Sequence, residues 1–347
     1  MGFSREYRQR SSPGKISTRL EIFPLSGIGY FLVGISIIFA GCQGISSLFA
    51  TPTSQYRERE SALVGLTKFP PEDDPSPPIL HVEGWQQPVP LDGPITTGGL
   101  EDSPFITPDG EELYYFFTPS ILSPPEQQVL DGVTGIYVSK RTGEGWGEPE
   151  RVVLQDAGKL SLDGCHFISG DEMWFCSVRE GNMREIDFWR ARRVGGRWQD
   201  WENAGALLNL TYMVGELHFT ADGKSIYYHS NRPGGAGGLD IWVTTQEGGV
   251  WTEPENLTGV NTTTDEGWPF LSSDGKTLWF TRPFHGSPGI FRSQLGEGQW
   301  SEPELVVSQF AGEPTLDDAG NLYFVHHYIV GGEIEDADIY VAHKIED

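Results

Sequence analysis

From residue 100 onward the chain carries short apolar runs set apart by turn-forming residues. Leu113–Phe117, Met173–Cys176, Ile226–His229, Leu278–Thr281 and Leu322–Val325 are rich in aromatic and branched side chains. Runs of this length, bounded by Gly, Pro, Asp and Ser, predict buried β-strands. Each follows a turn signal: Pro108-Asp109-Gly110, Gly170-Asp171-Glu172, Ala221-Asp222-Gly223, Ser273-Asp274-Gly275 and Asp318-Ala319-Gly320. Asp-Gly between two β-type runs predicts a hairpin, because glycine tolerates the positive φ of a tight turn.

Two further motifs run in phase with these hairpins. One is a tryptophan followed by proline three residues later, at Trp85, Trp146, Trp251 and Trp300; Trp198 fills the same slot with Trp201 in place of proline. The other is an apolar pair that opens a β-type run: Ile136-Tyr137, Phe188-Trp189, Ile241-Trp242, Ile290-Phe291 and Ile339-Tyr340. Both recur roughly every 50 residues, a period that marks repeat architectures. Each repeat reads as four strands. Strand a ends at the turn, b is the apolar run, c carries the apolar pair and d carries the tryptophan motif. A four-stranded antiparallel unit of this size is a propeller blade. The fifth set lacks a strand d, and a spare one lies upstream at Trp85–Leu91. The expected fold is therefore all-β, a five-bladed β-propeller of four-stranded antiparallel blades closed by an N-terminal strand, which leaves no open sheet edge.

Three runs, at 103–110, 229–242 and 264–280, read Ser-Pro-Phe-Ile-Thr-Pro-Asp-Gly, His-Ser-Asn-Arg-Pro-Gly-Gly-Ala-Gly-Gly-Leu-Asp-Ile-Trp and Thr-Asp-Glu-Gly-Trp-Pro-Phe-Leu-Ser-Ser-Asp-Gly-Lys-Thr-Leu-Trp-Phe. They resemble the WD40-like β-propeller repeats of the TolB type over residues 79–347. The resemblance implies the fold and a periplasmic or outer-membrane setting, where many such proteins bind other envelope components. Asp171-Glu172 and Ala319-Gly320 depart from the Asp-Gly pattern. The segment Ser272–Trp279 also resembles a sialidase Asp-box, but Gly275 follows Asp274 directly, and the hairpin turn accounts for it.

The N-terminus has a different pattern. Arg5, Arg8, Arg10, Lys15 and Arg19 precede an uncharged apolar run, Phe23–Gly41, that ends in Phe39-Ala40-Gly41-Cys42. A basic flank, an apolar core and small residues describe an export signal. Ala-Gly-Cys resembles the bacterial lipobox and implies lipidation of Cys42, although Phe39 stands where leucine is usual. The alternative is an uncleaved anchor helix. In both cases the basic flank stays inside and the rest is exported. Gln43 after the cysteine favours the outer membrane if the cell is Gram-negative. Residues 1–42 are thus assigned to the signal and lipobox, 43–78, rich in Ser, Pro, Thr and Glu, to a flexible tether, and 79–347 to the propeller.

Composition narrows the partners. A net charge of −25 would be repelled by a phosphate backbone, so nucleic acid is excluded as a partner. The same charge suits a solvated surface or an affinity for cations and basic partners. Cys165 and Cys176 fall on neighbouring strands, where a disulfide and two buried thiols are both open. Neither has a second cysteine at metal-site spacing, so no metal is expected. No nucleophile elbow, His-Glu-x-x-His or phosphate-binding glycine loop is present, and no cofactor is implied.

Loops leading into strand a and loops leaving strand b share one face of a propeller. The first set carries Glu101, Asp102, Asp163, Glu216, Asp265, Glu266 and Glu313; the second carries Arg179, Arg232, Arg282, His326 and His327. His166 and His218 lie within strand a, and Trp268 stands beside them. These residues are expected around the mouth of the central channel. Counted back from the turn Asp, Glu101, Asp163 and Glu266 sit eight residues away and Glu216 six; Glu313 is six before Ala319. That offset suggests two rings. A structural role would pair each acid with an arginine of the neighbouring blade. A functional role would make a charged funnel for a sugar, peptide or cation, with Trp268 stacking on a sugar. Of His326 and His327, adjacent on a strand, at most one faces the channel. The expected function is an envelope-anchored binding module for an envelope protein, peptide or glycan. The alternative is a carbohydrate-active hydrolase or lyase, with Asp163, Glu216 and Glu266 as candidate paired carboxylates.

Overall fold

The computed structural model describes residues 56–120, 123–143, 145–209 and 214–345; Cys42 and the segment before it lie outside the described residues. The chain forms five antiparallel sheets, one per repeat, whose innermost strands stand side by side around a central channel. In the first blade strand a is Leu100–Ile106, b Glu112–Thr118, c Gly135–Thr142 and d Glu150–Arg151. The second blade runs Ser161–Ser169, Glu172–Arg179, Asp187–Val194 and Arg197–Asn203, and the third Val214–Phe219, Ser225–Ser230, Asp240–Glu247 and Glu255–Asn256. The fourth runs Gly267–Leu271, Thr277–Phe284, Ser287–Gly296 and Glu304–Ser308, and the fifth Ala311–Leu316, Leu322–Val330 and Glu333–Ala342.

The outer strand of the fifth blade comes from upstream. Val89 pairs with Val341 and Pro90 with Tyr340, and Trp85 bridges to Lys344. Trp85 locks this closure. Its indole N–H donates to the Gly320 carbonyl at 2.9 Å, Lys344 Nζ lies 3.8 Å over its ring, and its edge meets Trp279 of the fourth blade at 5.8 Å.

Each blade packs face to face against two neighbours, so both faces of strand b are buried. Tyr115, Phe117, Phe175, Phe280 and Phe324 have no solvent exposure. This explains why strand b reads as a continuous apolar run without alternation. Burial of one such ring contributes about 1.5–3 kcal/mol. The tryptophan motif was expected to lie along strand d. It instead makes the hairpin end between c and d. Gly145–Trp146, Val250–Trp251 and Gln299–Trp300 pair only with the far end of strand c, and strand d resumes after the proline. Proline has no N–H to give to a ladder. Blade two has Trp201 in that slot, and its outer strand continues from Arg197 to Asn203 through a bulge at Asp200 and Trp201.

Three of the five a–b turns share one local device. Thr107, Thr220 and Ser272 donate their hydroxyls to Asp109, Asp222 and Asp274 at 2.6–2.7 Å, and the same carboxylate oxygen accepts the backbone N–H two residues on. These bonds hold the three carboxyls below the usual carboxylate range.

Residues 56–78, the described part of the stretch assigned to the tether, lie against the face that bears the b–c loops. Arg59 is buried and donates to the Tyr115 hydroxyl at 2.9 Å. Lys68 Nζ sits 2.7 Å from both Asp336 and Asp338, and Phe69 packs on Tyr328 at 5.1 Å. Ile79–Leu80 then pairs with the outer strand of blade four. These anchoring side chains turn that stretch into a strap. Cys165 and Cys176 form a disulfide across strands a and b of blade two, with Cα atoms 5.2 Å apart.

Candidate functional site at the channel mouth

Every strand a breaks register near its start. The shift falls between Asp102 and Phe105, Gly164 and Phe167, Gly215 and Leu217, Gly267 and Phe270, and Gly312 and Thr315. At the bulge Ser103, Cys165, Trp268 and Glu313 take left-handed φ values of 48–56°, an uncommon conformation for side-chain-bearing residues. A bulge inserts one residue and re-aims the side chain it carries. In blade three Glu216 occupies the same slot. Gly215 before it must be glycine, because a Cβ there would lie 1.8 Å from His229 Nε2.

The acids eight residues before the turn lie before the bulge and serve the fold. Asp163 accepts from Arg179 Nη2 at 2.6 Å, from Ser177 at 2.6 Å and from Ser161 at 2.7 Å, all buried. Glu266 accepts from Arg282 Nε at 2.8 Å and from the backbone and hydroxyl of Thr262 at 2.7 and 2.6 Å. Burial raises the Glu266 carboxyl, against the pull of Thr262 and Arg282. Glu101 accepts from the Thr97 hydroxyl at 2.5 Å and is driven well above the usual range by burial and by Asp338. The expected pairing of acid with arginine therefore holds for Asp163 and Glu266, with one correction. The arginine comes from strand b of the same blade, because that strand ends beside the start of strand a.

The acids at the bulge face the channel. Ser103, His166, Glu216, Trp268 and Glu313 line an opening of about 30 Å³. The Ser103 hydroxyl donates to Glu216 Oε1 at 3.5 Å, and the Glu313 N–H donates to Thr281 Oγ1 of blade four at 2.9 Å. The Trp268 N–H donates to His229 Nδ1 at 3.1 Å. Asp102 stands beside them, accepting from the Ser103 N–H at 2.8 Å, with His327 Nε2 3.8 Å from its other oxygen. Burial, and then the Asp102 charge, raise Glu216 to about 8. Burial, Asp102 and Glu216 drive Glu313 well above the carboxylate range. His166 is buried, and burial lowers it to about 4, against the pull of the Tyr114 backbone, so it is neutral at neutral pH. Among the described residues no lysine or arginine lines the opening.

Below the opening the channel is plugged. Phe105 meets Phe167 at 5.3 Å, Phe167 meets His218 at 4.6 Å, and His218 meets Phe270 at 4.6 Å. Burial lowers His218 to about 3.

Of the residues expected around the mouth, the structure brings together Asp102, His166, Glu216, His218, Trp268 and Glu313. It places others elsewhere. Arg179 and Arg282 are held by Asp163 and Glu266, and Arg232 lies 5.1 Å over the Trp242 ring and donates to the Tyr228 hydroxyl at 3.1 Å. His326 is fully buried, its Nε2 2.8 Å from Asp74 Oδ2 of the strap, because that strap covers it. Asp163 and Glu266, two of the three candidate catalytic acids, are engaged in ion pairs and do not join Glu216. Its neighbours are Glu313 and Asp102. Ser103 was missed by sequence reasoning. The signal that could have found it is the slot six residues before the turn.

No protein-family model matches the chain, and no curated protein resembles it in sequence. Among solved structures it is similar to TolB from Acinetobacter baumannii, at 16% identity and a TM-score of 0.45 over 72% of this chain and 56% of that one. This chain thus spans little more than half of that protein. It is also similar to the alpha-L-arabinofuranosidase from Lactobacillus brevis, at 13% identity and 0.46 over 74% and 93%, and to a gluconolactonase from Xanthomonas campestris, at 12% and 0.42 over 80% and 98%. TolB-type propellers are among the structures it is similar to, and at these identities the likeness is one of fold alone.

Proposed function

We propose that the chain is an exported, envelope-anchored binding module whose site is the acidic mouth of the central channel, and that it takes a primary ammonium group presented by a peptide or protein partner. One observation carries this reading: Glu216 and Glu313 line one small opening, Asp102 acts on both through its charge, and among the described residues no lysine or arginine lines it. An ammonium is a compact point charge, which suits a small opening lined by carboxyl groups. The three N–H donors of the ammonium match the carboxylates, and the neutral His166 adds an acceptor. Export is supported by the Cys165–Cys176 disulfide, since such bonds persist in oxidising compartments, and by the basic and apolar segment that ends at Cys42.

Without ligand the raised carboxyls keep protons at neutral pH. An incoming ammonium favours their ionised forms, so binding releases protons and tightens as pH rises through about 8. Calorimetric titration of the full chain with a lysine-rich peptide at pH 6 and pH 8.5 tests this. Tighter binding at the higher pH with proton release, and loss of binding in the Glu216→Gln/Glu313→Gln double variant, are the expected outcomes. Binding that survives in the double variant removes the mouth as the site.

A second reading, hydrolysis of a glycan, draws on Glu216, which keeps its proton at neutral pH beside a second carboxyl as a general acid would. Turnover of any glycoside that disappears in Glu216→Gln, with folding intact, would favour it.

A further inference from the structure

The aromatic plug that floors the acidic mouth is also the floor of a larger cavity on the opposite side. Phe105, Phe167, His218 and Phe270 line both spaces. The second space, bounded by the five a–b turns, has a volume of about 370 Å³, more than ten times that of the mouth. That is within the range of small-molecule sites. Its walls are mostly apolar: Ile106, Ile168, Phe219, Leu271 and Leu316 stand above the aromatic floor, interspersed with the hydroxyls of Thr220, Ser272 and Thr277. The rim is set by the residue one step before each turn position. There the five blades carry Pro108, Gly170, Ala221, Ser273 and Asp318, all exposed. Small side chains at four of these five positions keep the cavity open where leucine or phenylalanine would close it. Among the described residues, Asp317 and Asp318 are the only ionisable side chains of the rim, and no lysine or arginine lines the cavity. Asp317 is held by Asn321 at 2.8 and 2.9 Å, so Asp318 is the carboxylate presented to solvent.

We infer that this turn-side cavity is a second ligand site, separate from the acidic mouth, for a small amphipathic molecule that buries an apolar body against the aromatic floor and leaves a cationic head at the Asp318 rim. Apolar walls reward removal of apolar surface from water. The acidic rim and a net charge of −25 select against an anionic head. This inference does not depend on the function proposed for the mouth.

The test uses the full chain and three naphthylamine dyes that share one apolar body: a trimethylammonium derivative, the neutral parent and a sulfonate. Their fluorescence rises on entering an apolar site. The expected result is one-to-one binding of the cationic dye, at least tenfold tighter than the sulfonate. Ala221→Trp and Ser273→Trp, each at an exposed rim position, should weaken it tenfold or more with unchanged thermal melting. Glu313→Gln should leave it unaltered. Dye binding insensitive to both rim variants overturns the inference, as does binding lost in Glu313→Gln, which would place the dye at the mouth. Equal affinity for the sulfonate overturns it too. If one tryptophan variant melts early, the other still decides the question.

Discussion

Strand a carries acids in two slots only two residues apart, and the slots behave differently. Before the bulge, Asp163 and Glu266 each meet an arginine of their own blade. At the bulge, Glu216 and Glu313 meet the field of Asp102, and among the described residues no lysine or arginine lines the opening beside them. Chain position is nearly the same and residue type is the same. The extra residue at the bulge decides which acid is neutralised inside the blade and which is turned into the channel with its proton retained. This propeller therefore builds an ionic scaffold and an acidic opening from neighbouring slots of the innermost strands of different blades.

Three variants break or sharpen that contrast. The largest effect belongs to the scaffold slot. Asp163→Ala leaves Arg179 buried without its partner, which costs about 3–5 kcal/mol; urea denaturation should show it, and a loss below about 1 kcal/mol would mean the pair is dispensable. Next comes the bulge slot of blade two, occupied by Cys165. Replacing both Cys165 and Cys176 by serine opens a loop of separation 11 and should cost about 3 kcal/mol, seen as a lower Tm and as the loss of a disulfide mass shift on reduction. The smallest effect is at the channel. Glu216 has a folded value raised from 4.5 to about 8, so the stability linked to its proton is full below about 4.5 and is lost as pH rises through about 8. Glu216→Gln removes that loss. Denaturation at pH 5 and pH 9 should show the variant gaining on the parent by about 2 kcal/mol at the higher pH, after allowance for solvent screening. An equal difference at both values would contradict a retained proton.

The repeat, the hairpin turns and the closing strand were legible in sequence because each rests on local chemistry. Asp109, Asp222 and Asp274 make their turns with partners two residues away, and the buried b strands need a continuous apolar run. The direction of the acids was legible only as a hint. Alternation along a strand assumes an unbroken pleat, and the bulges at Ser103, Glu216 and Glu313 break it. The difference between eight and six residues before the turn was the visible trace. The strap was not legible. Lys68 and Asp74 have no counterpart in any repeat, and their partners Asp336, Asp338 and His326 lie more than 200 residues away.

The clasp made by Trp85 has a consequence for synthesis. Val89–Pro90 leaves the ribosome long before Tyr340 and Val341, its ladder partners. Until those late residues emerge, the early strand has nowhere to dock and the ring stays open. A chain cut short within the last repeat leaves two sheet edges unpaired, one on blade five and one on the waiting segment. Completion of the ring thus reports that the chain is present through Val341, and a protease that cleaves open-edged sheets would separate finished chains from interrupted ones.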